Sequence, residues 1–210
     1  MLTDKDSLRR YYKDIRNNMS LHERRVGDLE IFHGVAELDE YKNSSEVLVY
    51  VSSAIEVDTY MLIDHSIKVG KIVLAPRCLP NSNDMEFFEI KSLDDLENGT
   101  FGIYEPNSEC LKKISFDNAC CIVPALSYNK RGYRLGFGKG FYDKFLSGFS
   151  GAKIGICYEC CMSDKLPNDE FDINVDVVVT DKSAFRIETD QVFNKGQRPV
   201  IQRTTLGISP

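Results

Sequence analysis

Short, nearly unbroken apolar runs recur at Val47–Val51, Lys71–Ala75, Cys120–Val123, Lys153–Cys157 and Val175–Thr180. Each is too short for an ordinary helix and is apolar at consecutive rather than alternate positions, the pattern of a strand buried on both faces. Such strands need covers above and below, and the segments between several of them carry helical spacing. Strands alternating with helices predict an α/β fold with a mainly parallel sheet covered on both sides. Met85–Ile90 reads as a further strand and Ser92–Glu97 as a short helix.

The covering helices can be placed. Leu8, Tyr11, Tyr12, Ile15 and Met19 recur at helical spacing behind Thr3, an N-cap candidate, predicting an amphipathic helix over residues 4–18 with Lys5, Arg9 and Arg16 on its polar face. Ser20-Leu21-His22-Glu23 has capping-box form, and Val26, Leu29, Phe32, Val35, Ala36 and Leu38 predict the buried side of a second helix ending near Tyr41. Asp58 is expected to cap a third, stopped by Gly70, and Phe141–Leu146 reads as a fourth.

With 210 residues, 42% hydrophobic and 28% charged, the chain has the material for one compact domain and its own core. We place that domain over residues 1–182, because the periodicity fades beyond Ser183 and residues 183–210 read as a polar tail of unknown role. A net charge of −6 argues against a nucleic-acid coat or an anionic-membrane surface. No apolar run is long enough to span a bilayer, and the N-terminus has no signal core, so a cytoplasmic protein is expected. Seven cysteines fit reduced thiols better than a disulfide framework.

The densest chemical pattern is Arg131 to Asp143, RGYRLGFGKGFYD. Gly136, Gly138 and Gly140 stand at alternate positions, where missing Cβ atoms and access to positive φ let backbone N–H groups converge on an anion. Arg131, Arg134 and Lys139 add positive charge, so the segment reads as a phosphate cradle or, more plainly, as a glycine-rich turn with a basic rim. Its GxGxG spacing is neither a Walker A loop nor a dinucleotide fingerprint. Asp143 suits a divalent cation beside phosphates, or simply the first turn of a helix. Asp172 and Asp176 offer a second carboxylate, or are solvated loop acids. Cys157-Tyr158-Glu159-Cys160 has CxxC form, but lacks the helix that redox exchange wants and the second pair that zinc wants. His22, His33 and His65 show no paired spacing.

The stretch Val123 to Asp143 resembles the signature of the 5-formyltetrahydrofolate cyclo-ligase family, of the form RGxRLGxGxGxYD. Lys5 and Arg9 resemble its N-terminal KxxLR, Ser52 to Thr59 its acidic segment after a strand, Phe101 to Pro106 its FGIxEP, and Asp172 to Thr180 its DxxVDxVVT. The resemblance implies a Rossmann-like three-layer sandwich related to ribose-5-phosphate isomerase and CoA-transferase folds. It also implies ATP- and Mg²⁺-dependent closure of 5-formyltetrahydrofolate to 5,10-methenyltetrahydrofolate, with release of ADP and phosphate. In that chemistry the formyl oxygen attacks the γ-phosphate, N10 attacks the activated carbon, and phosphate leaves.

The implied nucleotide contacts are Lys5, Arg9, Arg134, Leu135, Gly136, Phe137, Gly138, Lys139, Gly140, Phe141 and Tyr142, with Lys139 and Arg134 acting on the transferred group. Val51 and Glu56, together with residues 137–141, would meet the folate, and Glu56 would accept pterin N–H donors. Asp143 and Asp172 would serve Mg²⁺. Phe137, Phe141 and Phe171 depart from the family's usual residues. Expected partners are a small-molecule folate, with or without a polyglutamate tail, and neither nucleic acid nor membrane; a monomer or weak homo-oligomer is expected. A non-catalytic folate- or nucleotide-holding protein and another phosphate-handling enzyme of this fold are the alternatives.

Overall fold

The computed structural model describes residues 4–79, 82–99, 102–188 and 204–205. Helix α1 is Lys5–Asn18, capped by Asp4, whose carboxylate accepts from the Ser7 N–H at 2.9 Å. That is one residue after Thr3, which lies outside the described residues. Helix α2, Leu21–Glu37, begins with the expected reciprocal capping box of Ser20 and Glu23. Its buried side keeps the expected Val35 and Leu38, with Phe32 and Ala36 packed against the core, but is shifted: Gly27, Ile31 and Gly34 also face inward, while Val26 and Leu29 are exposed. The glycines decide this, because the helix packs close enough that a Cβ on Gly27 would stand 3.1 Å from the Tyr158 ring. The helix also stops at Leu38, and Asp39–Lys42 form a separate turn, α3.

Strand β1 is Glu46–Val49, followed by helix α4, Tyr60–Lys68, and strand β2, Ile72–Cys78. Thr59 occupies the N-cap position of α4, while Asp58 Oδ1 accepts from the Tyr60 N–H at 2.8 Å. Strand β2 runs two residues past Pro76, its expected end. Strand β1 pairs with β2 only as far as Leu74, so Pro76 sits where one edge of the strand has no neighbour to miss its N–H. Strands β3 (Met85–Ile90), β4 (Leu96–Asn98), β5 (Tyr104–Pro106) and β6 (Lys112–Lys113) follow. The expected helix at Ser92–Glu97 is a 3₁₀ turn, Leu93–Asp95, feeding β4. Then come β7 (Ala119–Pro124), the small hairpin β8 (Ser127–Tyr128) and β9 (Arg134–Leu135), helix α5 (Phe141–Leu146), β10 (Ala152–Ile156), β11 (Val177–Val179), β12 (Ser183–Arg186) and β13 (Thr204–Thr205).

Nine strands form one sheet in the order β13-β12-β11-β10-β7-β1-β2-β3-β6. The five central strands, β11 to β2, are parallel, with Val47 opposite both Val73 and Cys120; the flanking pairs are antiparallel. Strand β12 carries the sheet past residue 182, where the fading periodicity sets the domain's edge, and residues 189–203 and 206–210 lie outside the described residues.

Period-two alternation sorts the strand residues into two layers. Val47, Val49, Val73, Ile122, Ile154 and Val177 pack with Leu8, Tyr12, Ile31, Val35 and Ile63 of α1, α2 and α4. Leu48, Leu74, Cys121, Val123 and Val178 pack on the other side with Leu146 and Phe149. There Phe87, Phe116, Phe145 and Phe149 pack edge-to-face or tilted with ring centroids 4.6 to 5.9 Å apart, so a six-residue helix suffices as a cover. This is the three-layer α/β sandwich.

Candidate active site

The parallel strands β1, β2 and β7 point their carboxyl ends at one cavity of about 470 Å³. In open α/β sheets this is where the connecting loops leave a crevice. Lys5 and Arg9 reach it from α1, Val51 and Glu56 from the loop after β1, Arg134 to Asp143 from the glycine segment, and Asp172 from the approach to β11. Every residue that the family resemblance assigned to the site lines this one space.

The glycine segment has the backbone its composition suggests at two of its three glycines. Gly138 has φ +102° and Gly140 φ +73°, values that side chains resist. Arg9 lies across the loop: its Nε donates to the Gly136 carbonyl at 3.0 Å, and a Cβ on Gly138 would come within 3.2 Å of its guanidinium carbon.

Each metal-type acid is held by a cation. Lys5 Nζ stands 3.0 Å from both Asp172 Oδ2 and Asp169 Oδ2. Burial works to lower the Lys5 pKa, but hydrogen bonds to Asp169 and Asp172 outweigh it and hold it above the usual lysine value. The same bond to Lys5 holds the Asp169 carboxyl below its ordinary range. Arg134, its side chain 4% exposed, donates from Nη2 to Asp143 Oδ1 at 2.6 Å and from Nη1 to the Ile173 carbonyl at 2.6 Å. Its guanidinium therefore faces Asp143 rather than open space. The Ile173 N–H also donates to Asp143 Oδ1, at 3.3 Å.

Glu56 is 8% exposed, and its Oε2 accepts from the Ser53 N–H at 2.8 Å. A buried carboxylate at a cavity wall is a strong acceptor for a ligand presenting N–H groups.

Other expectations fail. Arg131 is not part of the cradle: it donates to Asn168 Oδ1 at 2.9 Å and lies over the Tyr133 ring, because the turn joining β8 to β9 carries it away. Asp176 is no second site carboxylate; its Oδ2 accepts from the Lys153 N–H at 2.7 Å. Arg16 is not on a polar face but 1% exposed. Cys157 is buried with Sγ 3.6 Å from Met162 Sδ, whereas Cys160 is exposed, so the CxxC thiols do not face one another. Burial holds the Cys157 thiol up at about 12.

Tyr50, Ser53, Cys78, Met85, Tyr104 and Glu105 also line the cavity and were not inferred. Ser53 carried a signal as part of the Ser52 to Thr59 segment, and Tyr104 and Glu105 as part of the Phe101 to Pro106 segment; Phe101 itself lies outside the described residues. Glu105 accepts from the Cys78 N–H at 3.2 Å, a contact between distant segments that no local pattern announces.

Among the described residues no group of three or more His, Cys, Asp or Glu could hold a metal unaided. Two carboxylates, Asp143 and Asp172, line this glycine-bearing space, a donor type that suits Mg²⁺ shared with phosphate oxygens and water. Asp143 and Asp172 fit that use.

The sequence model of the 5-formyltetrahydrofolate cyclo-ligase family matches residues 2–181. The chain belongs to this family. A probable 5-formyltetrahydrofolate cyclo-ligase of Schizosaccharomyces pombe is 32% identical over 176 residues, 75% of this chain and 85% of that protein. The 5-formyltetrahydrofolate cyclo-ligase of Mus musculus is 27% identical over 191 residues, 85% and 94% of the two chains. The NMR structure of Aquifex aeolicus 5,10-methenyltetrahydrofolate synthetase superposes with a TM-score of 0.76 at 32% identity, covering 90% of this chain and 96% of that one. That synthetase shares the α/β architecture described above. No described helix is long and apolar enough to cross a membrane.

Proposed function

We propose that this cyclo-ligase closes 5-formyltetrahydrofolate to 5,10-methenyltetrahydrofolate at the described cavity, using ATP and Mg²⁺. The observation that carries the reading is the convergence of Lys5, Arg9, Glu56, Lys139, Asp143 and Asp172 from separate segments on one space. When bound, ATP supplies the phosphoryl group that makes the formyl oxygen a leaving group, and Mg²⁺ neutralises phosphate charge.

The chain's own task is alignment and charge balance. The loop 136–140 presents backbone N–H groups and Lys139 to the phosphates, and Arg9 braces that loop from α1. Asp143 and Asp172 would hold the metal, with Arg134 fixing Asp143. Lys5, joined here to Asp172, is placed to turn toward phosphate oxygens once the metal takes over that carboxylate. Glu56 and Val51 form the folate side. No nucleophilic side chain is needed, which agrees with thiols held protonated by burial.

The decisive measurement is growth of the methenyltetrahydrofolate absorbance from the 5-formyl compound. It should require both ATP and Mg²⁺. Tight binding of folate and nucleotide without turnover would favour a holding protein, and a different ATP-dependent product would favour another phosphate-handling enzyme.

A further inference from the structure

The segment 50–59 carries Glu56 yet contains neither helix nor strand. Beside bonds within the segment, such as that from Thr59 Oγ1 to the Tyr50 carbonyl at 2.7 Å and that from the Tyr50 hydroxyl to the Val57 carbonyl at 3.0 Å, it is held by two arginines on different helices. Arg16 of α1 donates from Nη1 to the Ile55 carbonyl at 3.1 Å. Arg24 of α2 donates to the Ala54 carbonyl and, at 2.9 Å, to the Glu56 carbonyl. Three successive carbonyls, of residues 54, 55 and 56, thus each meet a guanidinium, while Asp28 accepts from the Asp58 N–H at 3.1 Å. Arg16, only 1% exposed, also donates from Nη2 to the Ala125 and Leu126 carbonyls, at 2.5 and 3.1 Å. Those residues lie in the turn between β7 and β8, and the Leu126 N–H donates to the carbonyl of Leu135, the residue before the glycine loop, at 2.8 Å. One buried charge therefore joins the Glu56 wall of the cavity to the glycine-loop wall.

We propose that Arg16 and Arg24 are positioning residues for folate recognition, acting on Glu56 through the backbone of residues 54–56. The inference rests on the placement of Glu56 against the folate. A guanidinium suits the task because its planar fork serves several carbonyls at fixed angles, which an ammonium cannot match. Neither arginine lines the cavity. Their effect passes through the loop.

The test is steady-state kinetics on the full chain, varying each substrate with the other saturating. Glu56→Gln should raise the folate KM about ten- to hundredfold by removing the charged acceptor. Arg24→Ala, at a half-buried position that tolerates truncation, should raise the folate KM about tenfold and leave the ATP KM within about twofold. Arg24→Lys should recover part of the loss. In the Glu56→Gln background Arg24→Ala should add less than about threefold, since the carboxylate it positions is already gone. Arg16→Lys should disturb both substrates, because Arg16 sets the two walls together. If Arg16→Lys does not fold, the Arg24 series decides alone. An Arg24→Ala enzyme with a lowered unfolding temperature but unchanged kinetics overturns the inference, as does full multiplication of the two losses in the double variant. An unchanged folate KM in Glu56→Gln overturns the placement of Glu56 first, and the inference with it.

Discussion

In the proposed reaction Lys139 and Asp143 would stand on opposite sides of the charge balance at one phosphate group. Lys139 belongs to the exposed apex of the glycine loop, whereas Asp143 is tied to the buried Arg134 and to the Ile173 N–H. Lys139→Ala is expected to lower kcat by about 10²–10³, the usual loss when one preorganised electrostatic group is removed. Asp143→Asn is expected to make activity depend steeply on metal concentration and recover partly at high Mg²⁺, with no such recovery for Lys139→Ala. A Mg²⁺ titration of both variants that gave parallel curves would remove Asp143 from the metal site. Asp143→Asn carries a second consequence, because it strips the charge from the partner of a guanidinium that is 4% exposed. Removing one member of a buried pair costs about 3–5 kcal/mol, and the 31% exposure of Asp143 puts this case below that range. Its unfolding midpoint should therefore fall while that of Lys139→Ala stays near the parent's. The pattern around Gly136, Gly138 and Gly140 made this loop legible in sequence, because positive φ leaves a compositional trace. Arg16 left none: four residues from Tyr12 on a helix, it reads as one more solvated cation, and only the fold shows three carbonyls converging on it.

Helix α2 is the element whose sequence misleads. Its apolar residues suggest one face, but the helix presents Gly27 and Gly34 to the sheet layer, and close approach outweighs the burial of Val26 and Leu29. The same close approach brings Asp28 to Tyr158, whose hydroxyl donates to Oδ1 at 2.6 Å. Burial dominates at Asp28 and holds its pKa above the model-peptide 3.8, against the opposing pull of the Tyr158 bond. The native state then binds the proton more tightly than the unfolded chain. The resulting stability is present in full below 3.8 and is lost as pH rises through the higher folded value. Asp28→Asn lacks that loss, so its stability relative to the parent should increase between pH 4 and pH 7. Urea midpoints of both proteins across this range provide the measurement; a constant difference would show that Asp28 does not titrate in the window.

Across the whole molecule, the seven cysteines are free, and burial holds the Cys120, Cys121 and Cys157 thiols protonated. Cys160 Sγ and Cys161 Sγ lie 4.0 Å apart without a bond. Replacing Cys157, Cys160 and Cys161 together by Ala is expected to leave turnover within a few-fold of the parent, although stability falls because Cys157 and Cys161 are fully buried. A hundredfold loss in a folded variant, about 2.7 kcal/mol, would give these thiols a part in the chemistry. The sheet shows why so much of this scale was readable. Consecutive apolar residues at Val47–Val51 or Cys120–Val123 satisfy the physics of a two-sided parallel strand, and the period-two sorting into layers follows from strand geometry alone. The local sequence thus determined the core strands β1, β2, β3, β7, β10 and β11, the helices that cover them and the glycine loop, since each is encoded within a few residues of chain; the short strands β4, β5, β6, β8, β9, β12 and β13 carry no such pattern. It did not determine that Arg131 turns away while Arg134 is buried against Asp143, that Pro76 stays within a strand, or that Glu105 and Cys78 join the cavity wall. Those outcomes depend on which segments become neighbours, and a contact between residues 27 apart in the chain, such as Glu105 with the Cys78 N–H, has its energy only once the sheet has brought both ends to one place.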